Sequence, residues 1–493
     1  MNDRFDWFPT LLSPELGEKA RYVTALILEG SNYNSKGASE ETRSLKYNQT
    51  AAKLISALYI AHCSSEAVSV PLSPRHFHKT KVGKVRLSQD YTVKVYNKLL
   101  ELGWIEIIIP PKANENVTGV QSSGELEQLF KDLGIRWMPQ ELLPHDELVI
   151  LRDVQRDRDG VPIRSTKKRK TKRVTLITPE NGLVEQWREN LQKINKVLIQ
   201  HCISIDLDNQ KLMLLQNQLA NNSDNESFRS LQMHRVQLVR IFSRGSLEKG
   251  GRFYRCWWQS IPEIHRPHIR IDGKKVVEVD YSGMSLRICN ALMGAPLPSE
   301  VDPYDIGLPD WEGSTDSRRK TLKKVINAFI NDEDGVYRLP KEAEKTLGLT
   351  EEDLRQQFKS YYPKLYSKLG DGIGLLSQHI DSKVAEKVML TMIDEGSVVL
   401  PIHDSFIVTL GDQSRVCTVM REVFQEFTGA ETALDVDVIK LNEHFGMEAS
   451  DVEQLSQKVT AGIVSASDLL DSVKNYHNKI TNKYLSYWEK SRR

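Results

Sequence analysis

The sequence is poor in cysteine, in long apolar runs and in charge excess of either sign, and each shortage removes a class of protein. Its five cysteines, Cys63, Cys202, Cys256, Cys289 and Cys417, are scattered through 493 residues and are never spaced Cys-x-x-Cys. An odd, dispersed set suggests neither a disulfide framework nor a zinc site. No window approaches the roughly 20 apolar residues of a membrane-spanning helix. Met1 to Leu12 carries Asp3, Asp6, Trp7 and Pro9 and has no basic stretch leading into an apolar run, so it does not read as a signal peptide. A cytoplasmic location with no membrane partner is expected. Lys and Arg number 67 against 66 Asp and Glu, a formal net charge of +1. That balance announces no partner by itself, because whole-chain charge hides local patches. Internal repeats and low-complexity blocks are also lacking.

What is present is an ordinary globular composition, 40% hydrophobic and 27% charged, in a chain long enough for about two to four domains. From Ser44 to Cys63, apolar residues at Ala51, Leu54, Ile55, Leu58 and Ile60 fit one helical face. A second helix is expected from Ser88, which can cap it, to Leu102, with Gly103 placed for a left-handed C-terminal residue. Trp104 to Ile109 then reads as a strand closed by Pro110 and Pro111. Helix, glycine and short strand form the layout of a winged helix-turn-helix with Ser88 to Leu102 as recognition helix; a small structural domain is the alternative.

Between Leu151 and Arg173 ten Arg and Lys residues, among them Lys167, Lys168, Arg169 and Lys170, face three aspartates. With Asp159-Gly160 as a turn signal, this densest basic stretch reads as a hairpin or loop that tracks phosphates, or as a solvated linker. From Leu183 to about Gln218 the apolar spacing is helical. Residues beyond Ser450 read as polar helices without a motif.

Chemistry concentrates between Arg240 and Leu410. Val276 to Val279 is an apolar run ending in Asp280, followed by Tyr281, a Ser-Gly turn and a helical pattern. A carboxylate at the mouth of a buried strand is placed to hold a divalent cation. Farther on, His403 and Asp404 occupy a turn between the apolar runs 398–402 and 405–408. Two such acids side by side would make a two-metal site for in-line phosphoryl transfer. Between them, Arg319, Lys323 and Asn327 fall four apart on one face of a helix. Two cations one turn apart facing two acids would clamp a triphosphate, whereas a solvated basic face is the bland reading of that helix alone.

These segments together resemble family A DNA polymerases. Asp280-Tyr281-Ser282 with Leu286-Arg287 is similar to their motif A, Arg319-x-x-x-Lys323 to the opening of motif B, and His403-Asp404 to motif C. Gly251-Arg252 and Gln259-Ser260-Ile261-Pro262 resemble the segment before motif A, and Gln378 has a counterpart on the helix before motif C. The resemblance spans about Arg244 to Val408, roughly a third of the chain. Gly251-Arg252-Phe253-Tyr254 and His403-Asp404-Ser405-Phe406 look more like phage-type single-subunit RNA polymerases. Ser285 stands where the DNA enzymes carry a glutamate that crowds the ribose 2′ position, and Asn327 and Asn331 stand where motif B has aromatics. Asp280 and Asp404 lie 124 positions apart, closer than in either family, so the fingers are expected to be small. Upstream, no acidic constellation suits a proofreading exonuclease.

The resemblance implies an α+β fold: a right-hand palm with an antiparallel sheet, short helical fingers and a helical thumb, preceded by a mainly helical, winged-helix-like region. The implied divisions are 1–150 for nucleic-acid binding, 151–180 for the basic hairpin or linker, 181–245 for the thumb, 246–448 for palm and fingers, and 449–493 for a helical tail. The implied activity is template-directed nucleotidyl transfer with two Mg²⁺ ions, replaceable by Mn²⁺, on Asp280, Asp404 and the Tyr281 carbonyl. Arg319, Lys323, Asn327 and Ser285 would meet the nucleoside triphosphate. His403 would support the growing end, and Arg252, Gln259, Gln378 and Lys167 to Lys170 would meet a DNA template and primer or nascent strand. Alternatives are an RNA polymerase or primase, an inactive DNA-binding initiator or regulator with this fold, and a metal-dependent nuclease or phosphohydrolase. Whether an accessory protein completes the fingers stays open.

Overall fold

A computed structural model describes residues 10–11, 13–30, 39–64, 67–73, 88–110, 117–134, 138, 147–159, 161–163, 173–221, 231–308, 316–332 and 337–436. The expected tail and Lys167, Lys168, Arg169 and Lys170 lie outside them. The result is a mixture of helices and largely antiparallel sheets.

The first unit begins with α1 (Pro14–Glu29), where Ser13 caps Leu16 and Pro14 opens the helix. α2 (Glu40–Ser64), β1 (Val68–Pro71), α3 (Gln89–Glu101), β2 (Ile105–Ile109), β3 (Val117–Ser122) and α4 (Gly124–Leu133) follow. The strands pair antiparallel in the order β1, β3, β2. The expected helices from Ser44 and from Ser88 fall within α2 and α3, and the expected strand is β2. Ser88 accepts from the Tyr91 amide, and Gly103, at φ 67°, turns the chain out of α3. Leu54, Leu58, Val95, Leu99, Trp104, Val120 and Phe130 close a core of their own.

After β4 (Val149–Val154) and β5 (Arg173–Leu176) come α5 (Gly182–Gln200), β6 (Ile203–Ile205) and α6 (Asn209–Asn221), so the expected helical stretch contains a short strand between its helices. β7 (Val239–Ser243) and β8 (Ser246–Tyr254) then join the earlier pair in the order β5, β4, β7, β8, with only β4 and β7 parallel. The flanks of the basic stretch therefore form a hairpin, Leu151 opposite Leu176 and Val154 opposite Arg173.

The larger sheet carries Asp280 and, in the loop between two of its strands, Asp404. Its strands are β9 (Ile269–Ile271) and β10 (Lys274–Tyr281), then, after helices α7 (Met284–Leu292), α8 (Asp316–Asn331), α9 (Lys341–Leu347), α10 (Glu351–Tyr361), α11 (Pro363–Tyr366) and α12 (Ile373–Asp394), β11 (Leu400–Ile402) and β12 (Ser405–Thr409). α13 (Gln413–Thr428) and β13 (Leu434–Val436) end the described chain. The order is β11, β12, β10, β9, β6, with β13 on the other flank of the end of β10. Val276, Val277, Val279, Phe406, Ile407 and Val408 are buried with Val384, Val388 and Met389 of α12 and Val419, Val423 and Phe424 of α13. A second core joins α7, α8 and α10 through Leu286, Ile326, Phe329 and Phe358.

α12 is locked to β7 and β8 by a buried polar contact. Arg240, with no exposed surface, donates to Glu386 at 2.7 Å, to the Gly251 carbonyl at 2.9 Å and to Ser382 at 3.0 Å. Gly251 has φ 90°, and a Cβ there would come within 2.8 Å of the Phe242 ring and 3.0 Å of Ser382. Only glycine allows that close passage of β8. Among the described residues no helix is long and apolar enough to cross a membrane.

Candidate active site

Asp280 stands near the end of β10 directly opposite Ser405 of β12. Ile402 also pairs with Ser405, so His403 and Asp404 form a two-residue hairpin loop at the same edge. The Tyr281 amide donates to the Asp404 carbonyl at 3.3 Å, which ties the loop to the end of β10. Two acids 124 positions apart are thus brought together by one strand pairing. His403 adopts φ 56°, a conformation that a non-glycine residue accepts at a cost and that recurs at functional turns.

The electrostatics at this edge are those of a site waiting for positive charge. Burial pushes the Asp280 carboxyl up to about 8, and the neighbouring Asp404 charge adds to the push. The Lys323 ammonium opposes it, while Glu278 and Asp435 add smaller repulsions. Among the described residues, the buried Asp280 Oδ1 has no hydrogen-bond partner. Burial, aided by Arg252, lowers His403 to about 4, so the imidazole is neutral at pH 7. Its ring packs edge-on to Tyr254 at 5.2 Å.

The Tyr281 side chain faces away from this edge: its hydroxyl donates to the Met420 carbonyl at 2.7 Å, and its ring lies among Phe406 and Phe424. That anchorage leaves the backbone of Tyr281 as the part of the residue at the sheet edge. Among the described residues no group of three or more His, Cys, Asp or Glu side chains is arranged to hold a metal. A carboxylate pair is nonetheless a fitting donor set for Mg²⁺, which is commonly held by one or two carboxylates and completes its shell with water and substrate phosphate. The unpartnered Asp280 oxygen fits the same donor set.

α8 presents Arg319, Lys323 and Asn327 on the face expected from their spacing. Lys323 acts on the charge of Asp280, and the Asn327 side chain acts on the Tyr304 hydroxyl. Burial drives the Tyr304 hydroxyl up to about 12, with Asp404 and Asp280 contributing. Arg319 is engaged side-on by Asp302, Nε to Oδ2 at 2.8 Å and Nη2 to Oδ1 at 3.1 Å. Burial alone would raise the Asp302 carboxyl, but the Arg319 and Tyr304 amide bonds outweigh it and hold it below its usual range.

Arg252 of β8 reaches α12, where its Nε donates to Asp381 at 2.7 Å and its Nη2 to the same oxygen. It also lies within electrostatic range of Asp404. Gln259 is committed internally: its amide donates to the Phe253 and Pro401 carbonyls, and its oxygen accepts from the Cys256 amide. It braces the segment before β9 against β11. Gln378 donates to Asn331 at 2.9 Å, joining α12 to the end of α8. Ser285, half-buried in the first turn of α7, acts on the Cys289 thiol, and its carbonyl accepts from Ser377 at 3.4 Å.

Sequence reasoning had not singled out Asp302, Tyr304, Asp381, Glu278 or Asp435. Asp381 lies three residues after Gln378, on a spacing that shares a helical face, and Asp302-Pro303 is a turn signal; both were readable. Asp435 faces Asp280 across β13, a pairing that no local pattern announces.

No family model matches the chain, and no curated protein matches it. Among solved structures it is similar to the POL domain of Pol1 from M. smegmatis in complex with DNA primer-template and dNTP, with a TM-score of 0.29 and 14% identity over 46% of this chain and 50% of that one. The chain thus spans about half the length of the solved chain that it matches.

Proposed function

We propose that this protein is a template-directed nucleotidyl transferase that extends a nucleic-acid strand. The observation that carries the reading is that Asp280, opposite Ser405, and the neighbouring Asp404 share one sheet edge, while Lys323 acts on Asp280 from a face of α8 that also bears Arg319. A nucleoside triphosphate has the charge such a site takes: reacting phosphate at the acids through metal, remaining phosphates at the cations. The 3′ hydroxyl oxygen would bond to the α-phosphorus, the bond to the bridging oxygen would break, pyrophosphate would leave, and the hydroxyl proton would pass to solvent. Two Mg²⁺ ions held by Asp280, Asp404 and the Tyr281 carbonyl would supply neutralisation of the attacking and leaving oxygens.

The chain's own residues divide the remaining work. Lys323 and Arg319 hold the polyphosphate, and neutral His403 packs at the growing end without adding charge beside the acids. Arg252, fixed by Asp381, meets the backbone of that strand. The order β1, β3, β2 behind α3 supports reading the first unit as a winged helix that grips the DNA template. A second reading, an RNA product, is favoured by Ser285, whose short side chain leaves a ribose 2′ hydroxyl unopposed.

Primer extension with labelled deoxy- and ribonucleotides on DNA and RNA templates tests both readings. Asp280→Ala and Asp404→Ala should each lower incorporation by about a thousandfold or more while template affinity survives, as loss of a metal ligand removes several kcal/mol of transition-state stabilisation. Near wild-type incorporation by either variant would remove that carboxylate from the site.

A further inference from the structure

The described part of the connection after α7, residues 293–308, is built far more rigidly than a connection needs to be. Arg287, 1% exposed, donates to five carbonyls: Ser282, Leu297, Pro298, Ser299 and Val301. The Tyr362 hydroxyl holds the Pro303 carbonyl at 2.7 Å. Gly283, at φ 65°, lets Pro303 lie against the start of α7, where a Cβ would stand 2.7 Å from the proline ring. The Tyr304 amide donates to Asp302 Oδ1 at 3.1 Å. This frame aims two side chains at α8: Asp302 takes the Nε and Nη2 edge of Arg319, and the Tyr304 ring lies 5.9 Å from its guanidinium carbon.

A guanidinium has five N–H donors in a planar fork, and the side-on carboxylate uses two of them. Both Nη1 protons and one Nη2 proton remain on the other edge, the geometry that grips a phosphate bidentately. An unheld arginine loses considerable rotamer freedom on meeting a ligand, whereas one held at its rear edge has already lost it. We propose that Asp302 is the positioning residue for Arg319, presenting its free edge to the polyphosphate of the incoming nucleotide. The inference rests on the nucleotidyl-transfer reading above. Asp302 and the nucleotide are not competitors, because they use opposite edges of the fork.

The test is steady-state single-nucleotide incorporation by the full chain, with Asp302→Ala and Asp302→Asn made in both the wild-type and the Arg319→Ala backgrounds. Asp302→Ala should raise the KM for nucleotide about tenfold with kcat changed less than about threefold, the signature of lost binding rather than lost chemistry. Asp302→Asn, which keeps one acceptor oxygen, should recover part of the loss. In the Arg319→Ala background Asp302→Ala should add almost nothing, since its partner is gone. A merely structural role in the loop would persist there, and that result would overturn the proposal, as would an unchanged or lowered KM in the single variant. Titration with inorganic tripolyphosphate separates this idea from the reading it rests on. If the wild type incorporates nothing on any template but binds tripolyphosphate in an Asp302-dependent way, the polymerase reading falls and the Asp302 assignment stands. If binding ignores Asp302, the assignment falls too.

Discussion

Replacing Asp280 by asparagine should stabilise the metal-free protein while ending its activity. The carboxyl is pushed up to about 8 from an ordinary 3.8, by burial first and by the nearby Asp404 charge second. Below about pH 4 the folded and unfolded chains both hold the proton, and the site costs nothing. As pH rises from there the unfolded chain ionises while the folded one keeps its proton, so stability falls by about 1.4 kcal/mol per pH unit and levels off above pH 8. At pH 7 the ceiling is about 4 kcal/mol, and water entry into the metal-free site reduces this to about 2 to 4 kcal/mol. An asparagine does not ionise, and its amide can donate to Asp404. At about 2 to 4 °C per kcal/mol for a domain of this size, the variant's transition should rise by several degrees in EDTA at pH 7, with little difference at pH 4. Added Mg²⁺ should raise the wild type and leave the variant nearly unmoved. Thermal melts by circular dichroism across pH 4 to 9 would show it. An asparagine variant no more stable than wild type at pH 7, or an advantage that does not grow with pH, would refute the idea that burial, with the Asp404 charge beside it, holds the Asp280 carboxyl protonated.

Lys323→Ala should raise the KM for nucleotide with primer-template affinity unchanged. Because Lys323 holds the Asp280 carboxyl down, its loss should also move the acidic limb of the pH-rate profile upward, and a fixed limb would separate the two residues. Ser285→Glu should penalise ribonucleotides over deoxynucleotides by about 10- to 200-fold in single-nucleotide kinetics, and an unchanged ratio would put the sugar gate elsewhere. Glu386→Ala strands the fully buried Arg240 and should destabilise the protein by about 3 to 5 kcal/mol in urea melts, whereas the paired apolar substitutions Arg240→Met and Glu386→Leu should be much milder; an unchanged midpoint in Glu386→Ala would show that the carboxylate is dispensable there.

The strands and helices of the site were legible because each depends on neighbours in sequence. The apolar run into Asp280, the turn at His403-Asp404 and the cation spacing on α8 all appear where local pattern puts them. The strand within the expected helical stretch, β6, was not legible, since three residues pairing with β9 carry too little periodicity to distinguish from a helix end. Gln259 shows a different limit. Its place in a polymerase-like segment suggested a template contact, yet its amide is satisfied by the Phe253 and Pro401 carbonyls, the second of them 142 residues away.

The same limit explains how the face of α8 is completed. Where the resemblance leads one to expect aromatics on this helix, the chain has Asn327 and Asn331, and read along the sequence that looks like a loss. In space, Tyr304 comes in from the preceding loop and is buried within reach of the Asn327 side chain, while Asn331 receives Gln378 from α12. An asparagine offers both donor and acceptor on a short stem: Asn331 accepts from Gln378 and donates to the Asn327 carbonyl, and so becomes a docking point for a side chain carried by another element. This face is assembled from three pieces: α8, the loop before it and α12. Such an arrangement suits a chain whose two acids are only 124 positions apart, because each piece that reaches the site from elsewhere is one that the short connection need not supply.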